Sequence, residues 1–409
     1  VAASRGVRHD AMRARNMAVV LGAIHRTGPL SRAALAESTG LTKTTVSKLV
    51  SDLLEAGAVS ERGAVRGGER GRPGVAVSLS GERVAALGLE INIDYLAACV
   101  VDLTRAVRLR RTRTADNRNS NPGDTLEALR RLADEVVAEA AADGLRVIGA
   151  ALAVPGLVED GLLRNAPHLG WRDVRVTGLP DVPYTIDNEA NLAALGELWF
   201  GSGAADFLYV SGEIGIGAGL VVDGSLFRGA YGLAGEIGHV VVVPDGPPCR
   251  CGGRGCLEVY AGQDALLTAL GDAPADPPAE DPPAGLRGDV PAGLPGGGTA
   301  GVAELVARLE AGDGEALAAC DRAGRALGVA LTSAVHLLDP GRIVLGGVYA
   351  PLFPWLSGPA AETLTAHLGH LRATPELAVS QIGSDAAVLG AAGLVIQDLL
   401  ADPATVLGL

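Results

Sequence analysis

Four residues spread over eighteen positions carry the donor atoms of a metal site: His239, then Cys249, Cys251 and Cys256 in the stretch CRCGGRGC. One imidazole and three thiolates complete a tetrahedral set. Zinc adopts that geometry in closed structural sites, which keep no position free for a reactive water. The expected role is therefore mechanical: one structural Zn2+ per chain pins a loop that carries Glu236 and Glu258 at its two ends. Five cysteines in 409 residues, three of them clustered among glycines, do not make a disulfide framework, and a metal explains them better.

A second set of polar groups sits where strands run out. IDNEANLAALGE (186–197) places Asn188 and Glu189 at a strand-to-helix junction, and LAVPGLVEDG (152–161) ends a buried strand at Pro155-Gly156. Loops beyond strand ends are where α/β proteins bind small molecules. A carboxylate accepts hydrogen bonds while Asn both donates and accepts, so such loops can take several neighbouring hydroxyls at once. The natural guest is a sugar. Glu189 is explained equally well as an acidic residue capping a helix start. The glycine-rich GEIGIGAGLVVDG (212–224) reads either as a phosphate loop or as turn glycines between two strands.

The elements that must position these residues alternate along the chain. VAALGLEI (84–91), LAACVVDL (96–103) and VRLRRTRT (107–114) are three predicted strands, followed by a helix from Asp124 to Ala142 and a buried strand at 147–154. Further strands are expected at 206–212, 217–224, 342–347 and 376–382, with helices near 189–200, 301–311, 314–338 and 385–396. Strands interleaved with helices predict an α/β body. Residues 271–300 hold seven Pro and seven Gly, which predicts an irregular insertion. The most apolar run, VIGAALAVPGLV, has twelve residues and contains Pro155, too short to span a bilayer. With no basic-then-apolar leader at the N-terminus, a cytoplasmic protein with no membrane partner is expected.

The net charge of −13 hides a division. Residues 1–80 carry twelve Lys/Arg against six Asp/Glu, so the remainder carries −19. A basic head on an acidic body suits a nucleic-acid-binding segment joined to a part that does not bind nucleic acid. Within the head, SRAALAESTG (31–40) is a short helix with Ser31 as N-cap and Gly40 as the turning residue. TKTTVSKLVSDLLEAG (42–57) follows with Val46, Leu49, Val50, Leu53 and Leu54 on one face. Two helices across a short turn fit helix-turn-helix geometry, in which the second enters the major groove. Its other side offers Thr42, Lys43, Thr44, Thr45, Ser47 and Lys48 as donors to phosphates and base edges, with Ser31 and Arg32 at the start of the preceding helix. AVRGGERGRPGVAVSLS (64–80) reads as a two-stranded wing whose loop carries Arg66, Arg70 and Arg72, suited to a narrow minor groove. A helical hairpin used only for protein contacts is the alternative.

These stretches together resemble the ROK family (repressors, open reading frames and sugar kinases), in particular its winged-helix transcriptional repressors. GPLSRAALAESTGLTKTTVSKLVSDLLEAG is similar to that group's DNA-binding segment and GRP (71–73) to its wing. GEIGIGAGLVVDG with GLAGEIGH resembles the family signature, and CRCGGRGCLE its zinc loop. The resemblance implies a two-lobed, actin-like (ribonuclease H-like) sugar-kinase body behind a winged head. The expected division is a DNA-binding domain over 1–80, one lobe over 81–200 and a second over 201–409, the last helix returning to the first lobe. It also implies sugar contacts at Gly156, Asn188, Glu189, Glu236, His239 and Glu258, with His239 serving metal and sugar through its two ring nitrogens.

Departures from the kinase pattern matter as much. Where family kinases carry an Asp-x-Gly-Gly-Thr-Lys-like phosphate loop, this chain reads Glu90-Ile-Asn-Ile-Asp-Tyr95, and no lysine follows Lys48. Glu213-Ile214 replaces a Gly-Thr, and Glu189 stands where the kinases' catalytic Asp would. Phosphoryl transfer depends on neutralising and positioning nucleotide phosphates, so Asp94 and Glu213 are expected to repel them. The expected function is a sugar-responsive repressor that binds operator DNA as a homodimer or homotetramer and holds a monosaccharide effector without phosphorylating it. The alternative is an ATP-dependent sugar kinase with a fused regulatory head.

Overall fold

The computed structural model describes residues 2–65, 74–201, 203–213, 215–267 and 299–409. The wing arginines Arg66, Arg70 and Arg72 and nearly all of the Pro/Gly-rich stretch lie outside the described residues, as does Ile214.

The head begins with a long helix, α1 (Ala2–Thr27), then β1 (Leu30–Ser31), α2 (Arg32–Thr39), α3 (Lys43–Glu55), β2 (Val59–Val65) and β3 (Gly74–Leu79). Both helix starts are capped: Ser31 Oγ accepts the Ala34 N–H at 3.2 Å, as expected, and Thr42 Oγ1 accepts the Thr45 N–H at 3.2 Å. Gly40 turns the chain between them in the left-handed region at φ +71°. The three strands form one small sheet in the order β1-β3-β2. The hairpin's first strand starts at Val59, five residues earlier than the sequence suggested.

The body is two lobes built on one plan. The first contains β4 (Val84–Ile91), β5 (Tyr95–Asp102), β6 (Val107–Thr114), α4 (Pro122–Ala142), β7 (Arg146–Val154), β8 (Leu157–Glu159), β9 (Leu162–Ala166), β10 (Trp171–Arg175), β11 (Tyr184–Asn188) and α5 (Glu189–Phe200). The second contains β12 (Phe207–Gly212), β13 (Ile216–Val222), β14 (Ser225–Phe227), α6 (Glu258–Ala261), α7 (Gln263–Leu267), α8 (Thr299–Glu310), α9 (Gly314–Leu338), β15 (Arg342–Gly347), α10 (Tyr349–Leu368) and β16 (Glu376–Val379). Its main sheet runs β14-β13-β12-β15-β16, and the first lobe's runs β6-β5-β4-β7-β11. In each, three antiparallel strands are followed by two parallel ones added beside the first. That repeat is the two-lobed architecture the sequence implied.

The chain then closes on itself. The C-terminal helices α11 (Ala386–Ala401) and α12 (Pro403–Leu407) return to the first lobe, where α11 packs against α5, β4, β5 and β7. The stretch Gly383–Ala401 is long and apolar enough to cross a membrane, but most of it is buried here as a core helix. Met17, Val20, Leu21 and Ile24 of α1 share one continuous apolar cluster with Leu399 and Leu407 of these helices. The head is thus packed onto the body rather than tethered to it. The second lobe has its own cluster around Leu327, Leu331, Leu345 and Leu356.

Candidate functional site

The Cys/His set assembles as the spacing predicts. His239 ends a short 3-10 turn, Ile237–His239, and the cysteine loop is folded by its own backbone: the Cys249 N–H donates to Gly253 O at 2.8 Å and the Gly252 N–H to Cys249 O at 2.9 Å. One donor atom from each of His239, Cys249, Cys251 and Cys256 falls within 4.8 Å of the others. Cys251 Sγ lies 3.7 Å from Cys256 Sγ, and His239 Nδ1 lies 3.8 Å from Cys249 Sγ. Ligands on a tetrahedral ion with bonds of about 2.3 Å stand about 3.8 Å apart, so the donors fit such an ion. With Nδ1 facing the cysteines, Nε2 faces Glu236, 3.9 Å from its carboxylate. The ring is oriented for two partners at once.

Beside this loop opens a cleft of about 590 Å³ between the lobes. All six expected sugar positions line it: Gly156, Asn188, Glu189, Glu236, His239 and Glu258. Asn188 both caps α5 and faces the cleft. Its Oδ1 accepts the Ala190 and Asn191 N–H groups at 2.9 and 3.3 Å, and its Nδ2 donates to Gly156 O at 2.8 Å. One amide N–H is left for a ligand. Gly156 holds φ +122°, and a Cβ there would drive into the Asn165 carbonyl, which is why the strand end must be glycine.

Sequence reasoning missed several lining groups. His168, in the loop between β9 and β10, lines the cleft beside Arg250, whose guanidinium is 3.4 Å from its Nδ1. Burial and the Arg250 charge push the His168 imidazole down to about 4, so at neutral pH it is an uncharged donor and acceptor. Asp187, which accepts from Arg228, also lines the cleft, as do Asn165 and Arg172. Asp187 lies at the end of β11, Asn165 on β9 and Arg172 on β10, and only His168 lies in a loop.

On the side facing the lost phosphate loops, three carboxyls converge. A small pocket is lined by Glu90 from the end of β4, Glu189 from the start of α5 and Glu213 from the turn after β12. Burial raises Glu90 to about 8, aided by the Glu213 charge, and Glu213 to about 7. Glu189 is raised well above the usual carboxylate range by burial and by both neighbours. Asp94, expected to add repulsion at the tip of this loop, is instead paired with Arg118 at 2.7 Å. Its place beside Glu213 is taken by Glu90, to which sequence reasoning gave no role.

The head presents the predicted face. Thr42, Lys43, Thr44 and Lys48 are exposed along α3, while Thr45 and Ser47 are half-buried. Arg32 is engaged within the head, donating to Glu61 at 2.7 Å and to the Ser47 carbonyl at 3.1 Å. With Ser31 capping α2, these two residues hold the helix pair in register.

Residues 17–71 match the MarR family and residues 86–398 the ROK family. The xylose repressor of Bacillus subtilis is 28% identical over 393 residues, covering 94% of this chain and 96% of that protein. The glucokinase of Halalkalibacterium halodurans is 32% identical over 261 residues, 61% of this chain and 77% of the enzyme. Among solved structures, a ROK family transcriptional regulator described as a homolog of the E. coli MLC protein superposes with a TM-score of 0.73 at 24% identity, over 97% of this chain and 99% of that one. A Streptomyces griseus ROK glucokinase bound to glucose and AMPPNP gives 0.60 at 26% identity, covering 76% and 98%. The ROK match spans both lobes, the cleft and the cysteine loop, and the chain belongs to the ROK family.

Proposed function

We propose that this protein is a sugar-responsive transcriptional repressor. A monosaccharide in the cleft changes the affinity of the winged head for operator DNA and is not phosphorylated. One observation carries the reading: a winged head shares a core with a kinase-like body whose sugar positions converge while its phosphate side is lined by three carboxyls, Glu90 buried and Glu189 and Glu213 half-buried. The full-length similarity to xylose repressors supports the DNA half. Glucokinases among the relatives keep a kinase reading as the alternative.

Within this reading a structural Zn2+ is held by His239, Cys249, Cys251 and Cys256. It supplies no reacting group and fixes the direction of the His239 Nε2–H toward the ligand. Asn188, Glu189, Glu236 and Glu258 take sugar hydroxyls, Gly156 lets the backbone approach, and His168 adds a neutral partner. Thr42, Lys43, Thr44, Thr45, Ser47 and Lys48 meet DNA, with Arg66, Arg70 and Arg72 in the minor groove and Ser31 and Arg32 supporting the frame. A homodimer or homotetramer in the cytoplasm would set two heads over two half-sites.

The path from sugar to head runs along α5. Its first residue, Glu189, faces the cleft, and near its last turn Trp199 packs on His25 of α1, ring centroids 5.2 Å apart. Arg105 covers the same indole at 5.1 Å and donates to the Trp199 carbonyl at 3.1 Å. A ligand that shifts the start of α5 is mechanically joined to the helix that carries the DNA-reading pair.

Mobility shift at fixed salt, with operator fragments and a panel of D-xylose, D-glucose and N-acetylglucosamine, tests the reading. A specific shift altered by one sugar is expected. No specific complex under any condition removes the DNA half. ATP-dependent ADP release with the same sugars, lost in Glu189→Ala, would restore the kinase.

A further inference from the structure

We propose that the three-glutamate cavity is a binding site for a single hard divalent cation, Mg2+ or Ca2+, that ties the two lobes together. The cavity adjoins the sugar cleft and shares only Glu189 with it.

Two independent features point to an occupant. The space among the carboxyls is about 20 Å³, enough for one water-sized body. Glu90 is 2% exposed; its Oε1 accepts the Tyr95 hydroxyl at 2.9 Å, but its Oε2, buried beside that space, has no partner among the described residues. A buried carboxylate oxygen without a partner carries a desolvation cost that a cation would offset. The charged or hydroxyl-bearing groups around the space are Glu90, Glu189, Glu213, Tyr209, Ser211 and Ser384. They offer oxygen alone. Without sulfur or imidazole, such a donor set suits Mg2+ or Ca2+ rather than zinc or copper.

The donors also come from parts that move separately if the lobes open. Glu90 ends β4 in the first lobe, Glu213 follows β12 in the second, Glu189 starts α5 and Ser384 precedes α11. One ion shared among them would resist separation of the lobes. The raised protonation of Glu90 and Glu213 adds a signature: the ion must displace protons to bind, so its affinity climbs with pH through the neutral range.

The site stands apart from the sugar reading, and its test uses no sugar and no DNA. Full-length protein retaining its cysteine-bound metal is dialysed free of other divalent ions and titrated with MgCl2 or CaCl2 by calorimetry at pH 6 and pH 7, with Tm recorded alongside. One saturable site per chain is expected, binding about tenfold more tightly at the higher pH for each proton displaced, with Tm rising by about 2 °C or more at saturation. Glu90→Gln and Glu213→Gln keep size and shape while removing charge, and each should weaken binding about tenfold or more. No saturable binding of either ion up to about 10 mM at pH 8 overturns the proposal, as does undiminished binding in Glu90→Gln. Variants that raise Tm while the wild type ignores both ions would show that the carboxyls merely share protons, and would overturn it too.

Discussion

Trp199 is the place to break the proposed link between sugar and DNA. It sits about 15 Å along α5 from Glu189, at a rise of about 1.5 Å per residue. Its indole contacts both His25 of the head and Arg105 of the body. Replacing it with alanine removes a ring pair worth about 0.5–1.5 kcal/mol and a cation–π contact of about 0.5–1 kcal/mol. The total, about 1–2.5 kcal/mol, is comparable to a typical coupling free energy between two ligand sites. If that contact is made in only one of the two lobe arrangements, its loss weakens the sugar effect on operator affinity by about 5- to 70-fold. The assay is fluorescence anisotropy of an operator fragment selected by the wild-type protein, at fixed salt, with and without the responsive sugar. Trp199→Ala should bind sugar as the wild type does while the ratio of the two operator affinities falls toward one. Trp199→Phe, which keeps a ring, should recover part of it. A folded Trp199→Ala with an unchanged ratio would refute the relay along α5.

Other outcomes follow from the same geometry. Cys251→Ser should lower the zinc content measured by plasma mass spectrometry and weaken sugar binding about tenfold or more by calorimetry, since the His239 ring loses its anchor; wild-type sugar affinity in zinc-free protein would contradict this. Lys48→Ala should weaken operator and random DNA alike and reduce the slope of log K against log salt by about one, whereas Thr44→Ala should act mainly on sequence preference. Glu90 is raised to about 8 and Glu213 to about 7, so the folded state holds their protons more tightly than the unfolded chain. Their contribution to the stability of the cation-free protein is therefore full below the ordinary carboxylate range and is lost as pH climbs toward 8, so Glu90→Gln should lessen the loss of Tm between neutral pH and pH 8. An identical slope in the variant would count against the assignment.

Much of this was legible from local signals. The cap at Ser31, the stripe Val46, Leu49, Val50, Leu53, and the Cys/His spacing are short-range chemistry, and each is where the sequence put it. Helix α10 was hidden by Pro354 and Pro359, residues that normally stop a helix. Its buried stripe at Leu352, Leu356, Ala360, Leu364 and Leu368 was the better signal, and it packs against α9. The small sheet β8–β10 went unseen because its strands are three to five residues long and its register is irregular. Glu90 and His168 were invisible for another reason: each matters through groups distant in the chain, which only folding brings near.

The apolar seam between α1 and the C-terminal helices decides what kind of module the reader of DNA is. Severed after its last strand, it would expose the side of α1 that packs on α11 and α12. A transplant onto a foreign effector body would need that side rebuilt or its counterpart helices carried along. Any swap of specificity is therefore better cut inside the helix pair, exchanging the surface of α3, than at the boundary between reader and sensor.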